Sequence, residues 1–345
     1  KKMSTKTLVT AGAAACAAVI AFKLLEKDKG LPPVTAGKER FLVFGKRGWI
    51  GGMMIELLKK AGKEFHLADA RCENRESVKA ELLKIKPTHV LNAAGITGTP
   101  NVDWCEFNQE AALRANVLGS MTVSDLCQEL GIHCTLFATG CIFEYDKDHQ
   151  IGGVTFTEED KANFDGSFYS KTKGFLEEML KSYKTTMVLR LRMPISDDLE
   201  PRNFVTKIAR YDKVVDIPNS MTVLSDLLPA ALKMSEAKLV GIFNFCNPGA
   251  ISHNEVLNMY KEIIDPSFKY TNFTVEEQNK ILAAKRSNNE LDATKLTTSL
   301  AKIGCAVPEI HDGFRMCFER MKANLVAKHG TDYAPFLPKK LSQSK

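Results

Sequence analysis

The sequence predicts an α/β protein in which a parallel sheet carries helices on both faces, followed by a smaller mixed α/β region. Two observations support this prediction. From residue 40 onward, short apolar runs alternate with segments whose apolar residues recur at helical spacing, as expected when helices return the chain between parallel strands. A glycine-rich turn, Gly45-x-x-Gly48-x-x-Gly51, directly follows the first apolar run. Together they indicate a doubly wound, Rossmann-type sheet.

The individual elements follow from the same periodicity. The predicted strands cover residues 41–44, 65–68, 89–92, 134–138 and 187–191, and the predicted helices cover residues 53–61, 76–85, 111–130 and 169–183. After residue 194 the pattern becomes irregular. The elements predicted there are short helices at 204–210 and 224–234 and short strands at 213–217 and 242–245. This change marks the start of the second, smaller C-terminal region.

Composition is that of an ordinary globular protein and argues against a nucleic-acid partner. The 345 residues are 44% hydrophobic and 26% charged, which is typical of a chain with a packed core. The net charge of +6 resides in the ends, because the 286 residues from 41 to 326 carry a net charge of −2. The body therefore lacks the basic excess that binding to a phosphate backbone requires.

Cysteine usage indicates a reducing, cytoplasmic location and predicts no metal site. The nine cysteines form no CxxC pair and no regular ladder, which argues against both a zinc site and a disulfide framework.

The N-terminal run at residues 8–22 is largely apolar and flanked by lysines. A spanning helix needs roughly 20 apolar residues, so this run of 15 is marginal. A membrane tether through residues 8–25, a targeting helix, a disordered leader and a cleaved signal peptide all remain open.

The glycine turn is expected to bind the diphosphate of a dinucleotide. Glycines at these positions allow a tight turn and a close approach of the backbone to phosphate, and the following helix presents free N–H groups. The predicted contacts in this turn are Gly45, Arg47, Gly48, Trp49, Ile50 and Gly51. The spacing is three and three, whereas the commonest fingerprint has two and three.

The choice between NADPH and NADH is less sharply indicated. Lys46, Arg47 and Arg71 are placed to meet a 2′-phosphate, whereas Asp69 favours a ribose hydroxyl. We expect NADPH, with NADH as the alternative.

A tyrosine and a lysine four residues apart, Tyr169 and Lys173, begin a predicted helix and share one of its faces. A free phenol has a pKa of about 10, and a neighbouring cation lowers that value towards the range useful for proton transfer. Thr139 directly follows a predicted strand about 30 residues upstream, at the edge of the sheet where ligands bind. These three side chains predict the reduction of a carbonyl group.

With Asn92-Ala93-Ala94-Gly95, these motifs resemble the extended short-chain dehydrogenase/reductase family. The strings at residues 100–106, 138–143, 166–173, 202–207 and 215–220 are most similar to its rhamnose-forming members, bifunctional 3,5-epimerase/4-reductases acting on nucleotide-linked 4-keto-6-deoxyglucose. The resemblance extends from about residue 41 to about residue 321.

The resemblance implies a role for each matching residue. Thr139, Tyr169 and Lys173 would reduce carbon 4, and Cys141 and Lys207 would be the epimerase pair. Residues Asn92, Ala93, Ala94 and Gly95 would contact the cofactor. On weaker grounds, Asn203, Arg286 and Asn288 are expected to meet the nucleotide sugar, with loop capping as the competing interpretation. A reductase without epimerase activity, and a non-catalytic NADP-binding regulatory subunit of the same fold, are the alternatives.

The expected organisation follows from these assignments. Residues 1–39 are an apolar leader and linker, 40–194 the NAD(P)-binding domain, 195–325 mainly the substrate domain, and 326–345 a basic tail. The expected partners are a nucleotide-sugar substrate and a second copy of the chain in a homodimer.

Overall fold

The computed structural model describes residues 38–99 and 101–341. Its strands, numbered along the chain, are β1 Arg40–Phe44, β2 Glu64–Leu67, β3 His89–Asn92, β4 His133–Thr139, β5 Thr186–Leu191, β6 Lys213–Val214, β7 Gly241–Asn244 and β8 Thr271–Asn272. Six of them form one parallel sheet in the order β2-β1-β3-β4-β5-β7, and β6 pairs with β8 separately. The predicted doubly wound α/β fold is confirmed.

The α-helices are α1 Trp49–Lys60, α2 Arg75–Ile85, α3 Trp104–Phe107, α4 Gln109–Leu113, α5 Gly119–Leu130, α6 Phe168–Leu180, α7 Phe204–Ile208, α8 Leu224–Glu236, α9 His253–Ile263, α10 Val275–Asn279, α11 Thr294–Lys302 and α12 Ile310–His329. A π-helical turn, Arg114–Leu118, links α4 to α5, and a 3₁₀ turn covers Ala334–Phe336.

The strand order places a topological switch at β1, which pairs with β2 on one side and β3 on the other. From the carboxyl end of β1 the chain crosses to β2, and from the carboxyl end of β3 it crosses to β4 in the opposite direction. A crevice therefore opens between the ends of β1 and β3. In open α/β sheets, ligands bind in this crevice. The fold thus predicts a nucleotide site where β1, β3 and β4 end.

Two layers of apolar side chains cover the sheet. On one face, Phe41 and Val43 pack with residues of α1, α8 and α11. On the other face, Leu42 and Phe44 pack with residues of α2 and α5. The alternation along β1 follows the two-residue period of a strand, and burial on both faces explains why the predicted strands are continuous apolar runs.

A second core lies outside the sheet and is built mainly by α9 and α12. Tyr260 of α9 and Phe314 and Phe318 of α12 are buried there, with the Tyr260 and Phe318 rings edge to face at 6.1 Å. However, β7 joins the main sheet, and α8 and α11 pack against it. Residues beyond 194 therefore contribute to both cores.

The expected basic tail from residue 326 has a defined structure up to residue 341. Residue 326 lies inside α12, and the chain that follows packs back on the second core. The Tyr333 hydroxyl donates to the Ile264 carbonyl over 3.0 Å, Leu337 is buried, and the Leu341 amide donates to the Arg210 carbonyl over 2.9 Å. The described part of the tail is thus an integral support of the second core.

Other element boundaries also differ from prediction. The predicted helix at 111–130 is divided by the π-helical turn, and the strand at 213–217 shrinks to two residues. Within the described ranges, no helix has the length and apolar character needed to cross a membrane. The predicted tether at residues 8–25 lies outside those ranges.

Candidate active site

The glycine turn joins β1 to α1 by a path that larger residues would block. Gly45 has φ of +81°, and a Cβ there would lie 2.5 Å from the carbonyl carbon of Ala93. A Cβ on Gly51 would lie 2.2 Å from the Gly45 carbonyl oxygen, which also accepts the Gly48 amide over 2.8 Å. All three glycines therefore belong to one close-packed turn.

The first amides of α1 are available to an anion. Gly48 is the N-cap residue, and it has no side chain to cap the helix. A helix N-terminus of this kind attracts phosphate through its free N–H groups and its dipole. Trp49 and Ile50 are half-buried against the first core, so their side chains anchor the turn while their backbone lines it.

The Asn92–Gly95 segment leaves β3 beside this turn. The Asn92 Oδ1 accepts the Ala94 amide over 3.1 Å, and its Nδ2 is buried without a partner among the described residues. Asn116, in the π-helical turn, exchanges two hydrogen bonds of 2.8 Å with the Ile96 backbone. Asn116 therefore fixes the path of this segment. Sequence reasoning missed it, although an asparagine inside an apolar helical run is an available signal.

Charged residues flank the far end of the crevice. Lys46 forms an ion pair with Asp69, and its hydrogen bond lowers the pKa of that carboxyl group. Arg71 is 77% exposed and pairs with Glu73 over 3.1 Å. Arg47 is exposed and forms no ion pair with any described residue. Of these three cations, Arg47 is thus the one most available to a ligand.

Thr139, Tyr169 and Lys173 converge at the carboxyl end of β4. Thr139 is its last residue, and α6 starts one residue before Tyr169, capped by the Ser167 hydroxyl, which accepts the Ser170 amide over 3.0 Å. The Lys173 side chain runs beneath the phenol, with its Nζ 6.0 Å from the Tyr169 ring centre. The predicted sharing of one helix face is confirmed.

Burial shifts the pKa values of both groups, in opposite directions. It raises the pKa of Tyr169, aided by the nearby Cys141 thiol, while a hydrogen bond with Thr139 opposes the rise. It lowers the pKa of Lys173 to about 8. The expected lowering of the Tyr169 pKa by the lysine is therefore absent in this state. The phenol keeps its proton at neutral pH, as a general acid requires.

Cys141 lies in the same cluster. Its amide donates to Thr139 Oγ1 over 3.1 Å, and its Sγ accepts a hydrogen bond from Arg192 Nη1 over 3.1 Å. Arg192 is completely buried just after the end of β5. The sulfur is thus held between a strand end and a guanidinium group.

A loop at residues 284–289 forms another wall. Ser287 accepts from Arg192 over 3.0 Å through its Oγ, while Arg286 pairs with Asp103 over 2.8 Å. The Asn288 Oδ1 accepts from the Asn219 side chain over 3.0 Å. Arg286 and Asn288 are both partly exposed, so each retains donors for a ligand.

Lys207 lies on α7, whose start is fixed by Asn203. Asn203 is completely buried, its Oδ1 accepts the Val205 amide over 3.0 Å, and its Nδ2 donates to the Ser196 and Asp198 carbonyls. This corrects the expectation that the Asn203 side chain meets the substrate, because its polar atoms are used within the protein. Burial, followed by Arg202 and Arg286, lowers the pKa of Lys207.

The chain resembles rhamnose-forming proteins over most of its length. The family described as the RmlD substrate binding domain matches residues 39–303, more than half of the chain. This chain belongs to that family.

Relatives agree with this assignment. A bifunctional dTDP-4-dehydrorhamnose 3,5-epimerase/reductase of Arabidopsis thaliana is 55% identical over 265 residues, covering 76% of this chain and 88% of the relative. A trifunctional Arabidopsis thaliana protein, named as a UDP-glucose 4,6-dehydratase with epimerase and reductase activities, is 56% identical over 260 residues. That alignment covers 75% of this chain, but the chain spans only 39% of that relative.

A solved structure shows the same fold. The UDP-rhamnose synthase of Acanthamoeba polyphaga mimivirus is 36% identical, with a TM-score of 0.78 over 82% of this chain and all of that one. The predicted resemblance to extended dehydrogenase/reductases of rhamnose formation is confirmed, and this RmlD-family chain is an enzyme.

In this RmlD-family enzyme, the predicted catalytic residues fall into two groups. Thr139, Cys141, Tyr169 and Lys173 form one cluster. Lys207 lies apart from this cluster on α7; Arg286 of the 284–289 loop helps to lower its pKa, and the adjacent Ser287 accepts a hydrogen bond from Arg192. No hydrogen bond joins Lys207 to Cys141 in the described structure.

Sequence reasoning missed Arg192 and its neighbours Asn219 and Asn289. Asn219 Oδ1 accepts from both the Arg192 side chain and the Asn289 amide. A signal for Arg192 exists in the sequence, because two arginines, at 190 and 192, interrupt an otherwise apolar strand. Buried charges in a strand need a specific reason.

Proposed function

We propose that this enzyme epimerises carbons 3 and 5 of a UDP- or dTDP-linked 4-keto-6-deoxyglucose and then reduces carbon 4, forming the L-rhamnose nucleotide. NADPH would supply the hydride, with NADH as the alternative. The observation that carries the proposal is the place of the Cys141 thiol at the end of β4: its backbone amide donates to Thr139 Oγ1, its Sγ accepts from Arg192, and it is close enough to Tyr169 to raise the pKa of that phenol. A thiol is not needed for carbonyl reduction alone, so its presence there favours a second proton-transfer reaction.

The crevice at the end of β1 fits a dinucleotide. The space that a Cβ on Gly45 or Gly51 would fill, the uncapped start of α1 and the unpartnered Nδ2 of Asn92 all favour a phosphate-bearing ligand. When bound there, the nicotinamide would donate hydride to carbon 4. Lys173, which has no ion-pair partner among the described residues, would hold a ribose hydroxyl.

Reduction requires a proton as well as a hydride. Tyr169 carries that proton, since burial raises its pKa, and the Thr139 hydroxyl would orient the keto oxygen beside it. The two side chains would also stabilise the enolate that forms during epimerisation, as donors in an oxyanion hole do.

Epimerisation requires a proton to be removed on one face of the sugar and returned on the other. Cys141 and Lys207 would be these two groups. A thiol and an amine are both groups that can carry out proton transfer, and burial lowers the pKa of Lys207, which makes its ammonium a better proton donor. Arg286 and Asn288 would meet the nucleotide diphosphate from the 284–289 loop.

The first test separates epimerase from reductase. The full chain is incubated in heavy water with UDP- or dTDP-4-keto-6-deoxyglucose and no reduced cofactor. We expect deuterium at carbons 3 and 5, and we expect Cys141→Ala to slow exchange at least about 100-fold. The matched control is Cys305→Ala, which removes the other partly exposed cysteine of the described residues.

The same assay addresses the two alternatives. Absence of exchange with intact NADPH oxidation would establish a reductase without epimerase activity. NADPH binding without oxidation by either keto sugar would establish a non-catalytic regulatory subunit.

We also propose a homodimer, formed through adjacent helices on one side of the sheet. Phe107 of α3, Leu118 of the π-helical turn, and Phe175 and Met179 of α6 are large, apolar and exposed, and α3 and the π-helical turn both contact α6. Large exposed apolar side chains on neighbouring helices favour an interaction site. Light scattering should give the mass of a dimer, and Phe175→Asp should halve it while Ile281→Asp, at another exposed position, should not.

A further inference from the structure

Arg192 has an unusual position for a charged residue. The side chain is completely buried, and its Nε has no hydrogen-bond partner among the described residues. Its Nη1 donates to Cys141 Sγ over 3.1 Å and to Ser287 Oγ over 3.0 Å. Its Nη2 donates to Asn219 Oδ1 and to the Ser287 carbonyl. Burying a guanidinium group is costly unless an anion compensates it.

None of these partners is a carboxylate. Arg192 forms no salt bridge with any acidic side chain in residues 38–99 and 101–341. Hydroxyl, amide and carbonyl oxygens are neutral acceptors at all ordinary pH values. The Cys141 sulfur is therefore the one direct partner that can become an anion near neutrality.

Other titratable groups around Arg192 are kept neutral. Burial raises the pKa of Tyr145 to about 12 and that of Cys246 to about 12, and it lowers the pKa of His253 to about 4. Tyr169, on the α6 side of Cys141, also keeps its proton. Glu290 influences Tyr145 and Cys246 but makes no ion pair with Arg192. Glu158 and Asp216, whose charges act on Cys246 and His253, likewise form no ion pair with Arg192 among the described residues.

We infer that Arg192 is a positioning residue that holds Cys141 as a thiolate. This inference rests on the proposed function, in which Cys141 and Lys207 exchange protons with the two faces of the sugar. It goes beyond that function because it names the residue that sets the charge on Cys141.

The step balances without any further reactant. The Cys141 thiolate takes the proton from carbon 3 or 5, and the electron pair of the broken C–H bond moves to the keto oxygen as an enolate. The Lys207 ammonium then returns a proton to the opposite face of the carbon, and the enolate collapses to the ketone. A proton passes from the thiol to the amine through water, which restores both groups.

The test measures the thiolate directly, without substrate. The full chain is treated with iodoacetamide at about pH 7 and about pH 9.5, and alkylation of each cysteine is followed by peptide mass spectrometry. We expect Arg192→Met to slow alkylation of Cys141 about tenfold at the lower pH, because a free thiol is only a few per cent ionised there. The difference should shrink at the higher pH, and Arg192→Lys should restore part of the rate.

Cys305 is the internal control, since it is partly exposed and has no charged hydrogen-bond partner in the described structure. Its alkylation should be the same in all variants. A merely structural Arg192 would leave the Cys141 rate unchanged at both pH values or would alter Cys141 and Cys305 together, and either result would overturn the inference.

A second measurement leaves Arg192 intact. The ultraviolet absorbance of thiolate is compared between the native chain and Cys141→Ala at about pH 7. Extra thiolate absorbance in the native chain supports the inference, and its absence overturns it, whether or not Arg192→Met folds. Loss of deuterium exchange in the native chain with the thiolate present would instead refute the proposed function alone.

Discussion

Two buried arginines, Arg190 and Arg192, lie two residues apart at the end of β5, yet their surroundings differ. Arg190 donates to both carboxylate oxygens of Glu177, over 2.8 and 2.6 Å, and to Asn244 over 3.0 Å. Arg192 has the Cys141 sulfur and neutral oxygens instead. A buried arginine paired with a carboxylate stabilises the fold, whereas a buried arginine without a carboxylate is available to stabilise an anionic reacting group.

The largest expected effect tests this contrast through stability. Arg190→Met leaves the Glu177 carboxylate buried and uncompensated, so we expect the free energy of unfolding to fall by about 3–5 kcal/mol. Arg192→Met leaves behind neutral oxygens and a sulfur that can take up a proton, so we expect a loss of less than about 1.5 kcal/mol. Urea unfolding of the two variants measures both values. Equal losses would show that Arg192 is compensated in a way that its contacts do not reveal.

A buried cation that lacks a counterion should be stabilising to remove. Burial lowers the pKa of Lys173 to about 8 in the folded chain, against 10.5 when unperturbed. The unfolded chain therefore binds more protons between these two values, and stability rises with pH across that window. At pH values below this window, Lys173 is charged in both states, and the full free-energy cost of burying its ammonium group lowers the stability of the folded chain.

Lys173→Met should therefore raise the free energy of unfolding at pH 7 by roughly 2 kcal/mol, while abolishing reduction. The gain should decline as the pH rises through the window and vanish above about 10.5. Unfolding at a series of pH values measures it. A variant less stable than the native chain at pH 7 would show that the ammonium has an unrecognised counterion.

The smallest effect concerns the exposed pair of Lys46 and Asp69. Because Asp69 is 86% exposed, Asp69→Ala should change the free energy of unfolding by less than about 0.5 kcal/mol. It should instead raise the ratio of kcat/KM for NADPH over NADH, since it frees Lys46 for a 2′-phosphate. Arg47→Ala is the complementary variant, because it removes a cation expected to meet the 2′-phosphate, and it should lower that ratio. If the ratio stays constant in both variants, these residues do not select the cofactor.

Much of the fold was predictable because the strands are buried on both faces. A strand such as β3, with every residue buried, is necessarily a short apolar run. By contrast, α9 and α12 were not predicted, because polar residues dominate their composition and only one stripe of each helix reaches the second core. The π-helical turn was missed because its extra residue leaves no distinct signal in the apolar pattern.

The site divides in the same way. Tyr169, Lys173, Thr139 and Cys141 are found from motifs because each lies at a strand end or helix start with fixed spacing. Arg192, Asn219 and Ser287 come from three segments far apart in the chain, and only the folded structure joins them. Asn203 was misjudged since a helix cap and a ligand contact favour the same residue type.

The stretch after α12 bears on how this enzyme can be handled. Leu341 and Lys340 bond to the carbonyls of Arg210 and Tyr211, where the helix carrying Lys207 ends. Trimming the chain to residues 39–303, where the family match ends, would remove α12 and this attachment together. A fragment cut at that point would retain the cofactor crevice but lose the scaffold of one of its two proton-transfer groups. An affinity tag is therefore better joined to the chain through a spacer that leaves residues 333–341 free to dock.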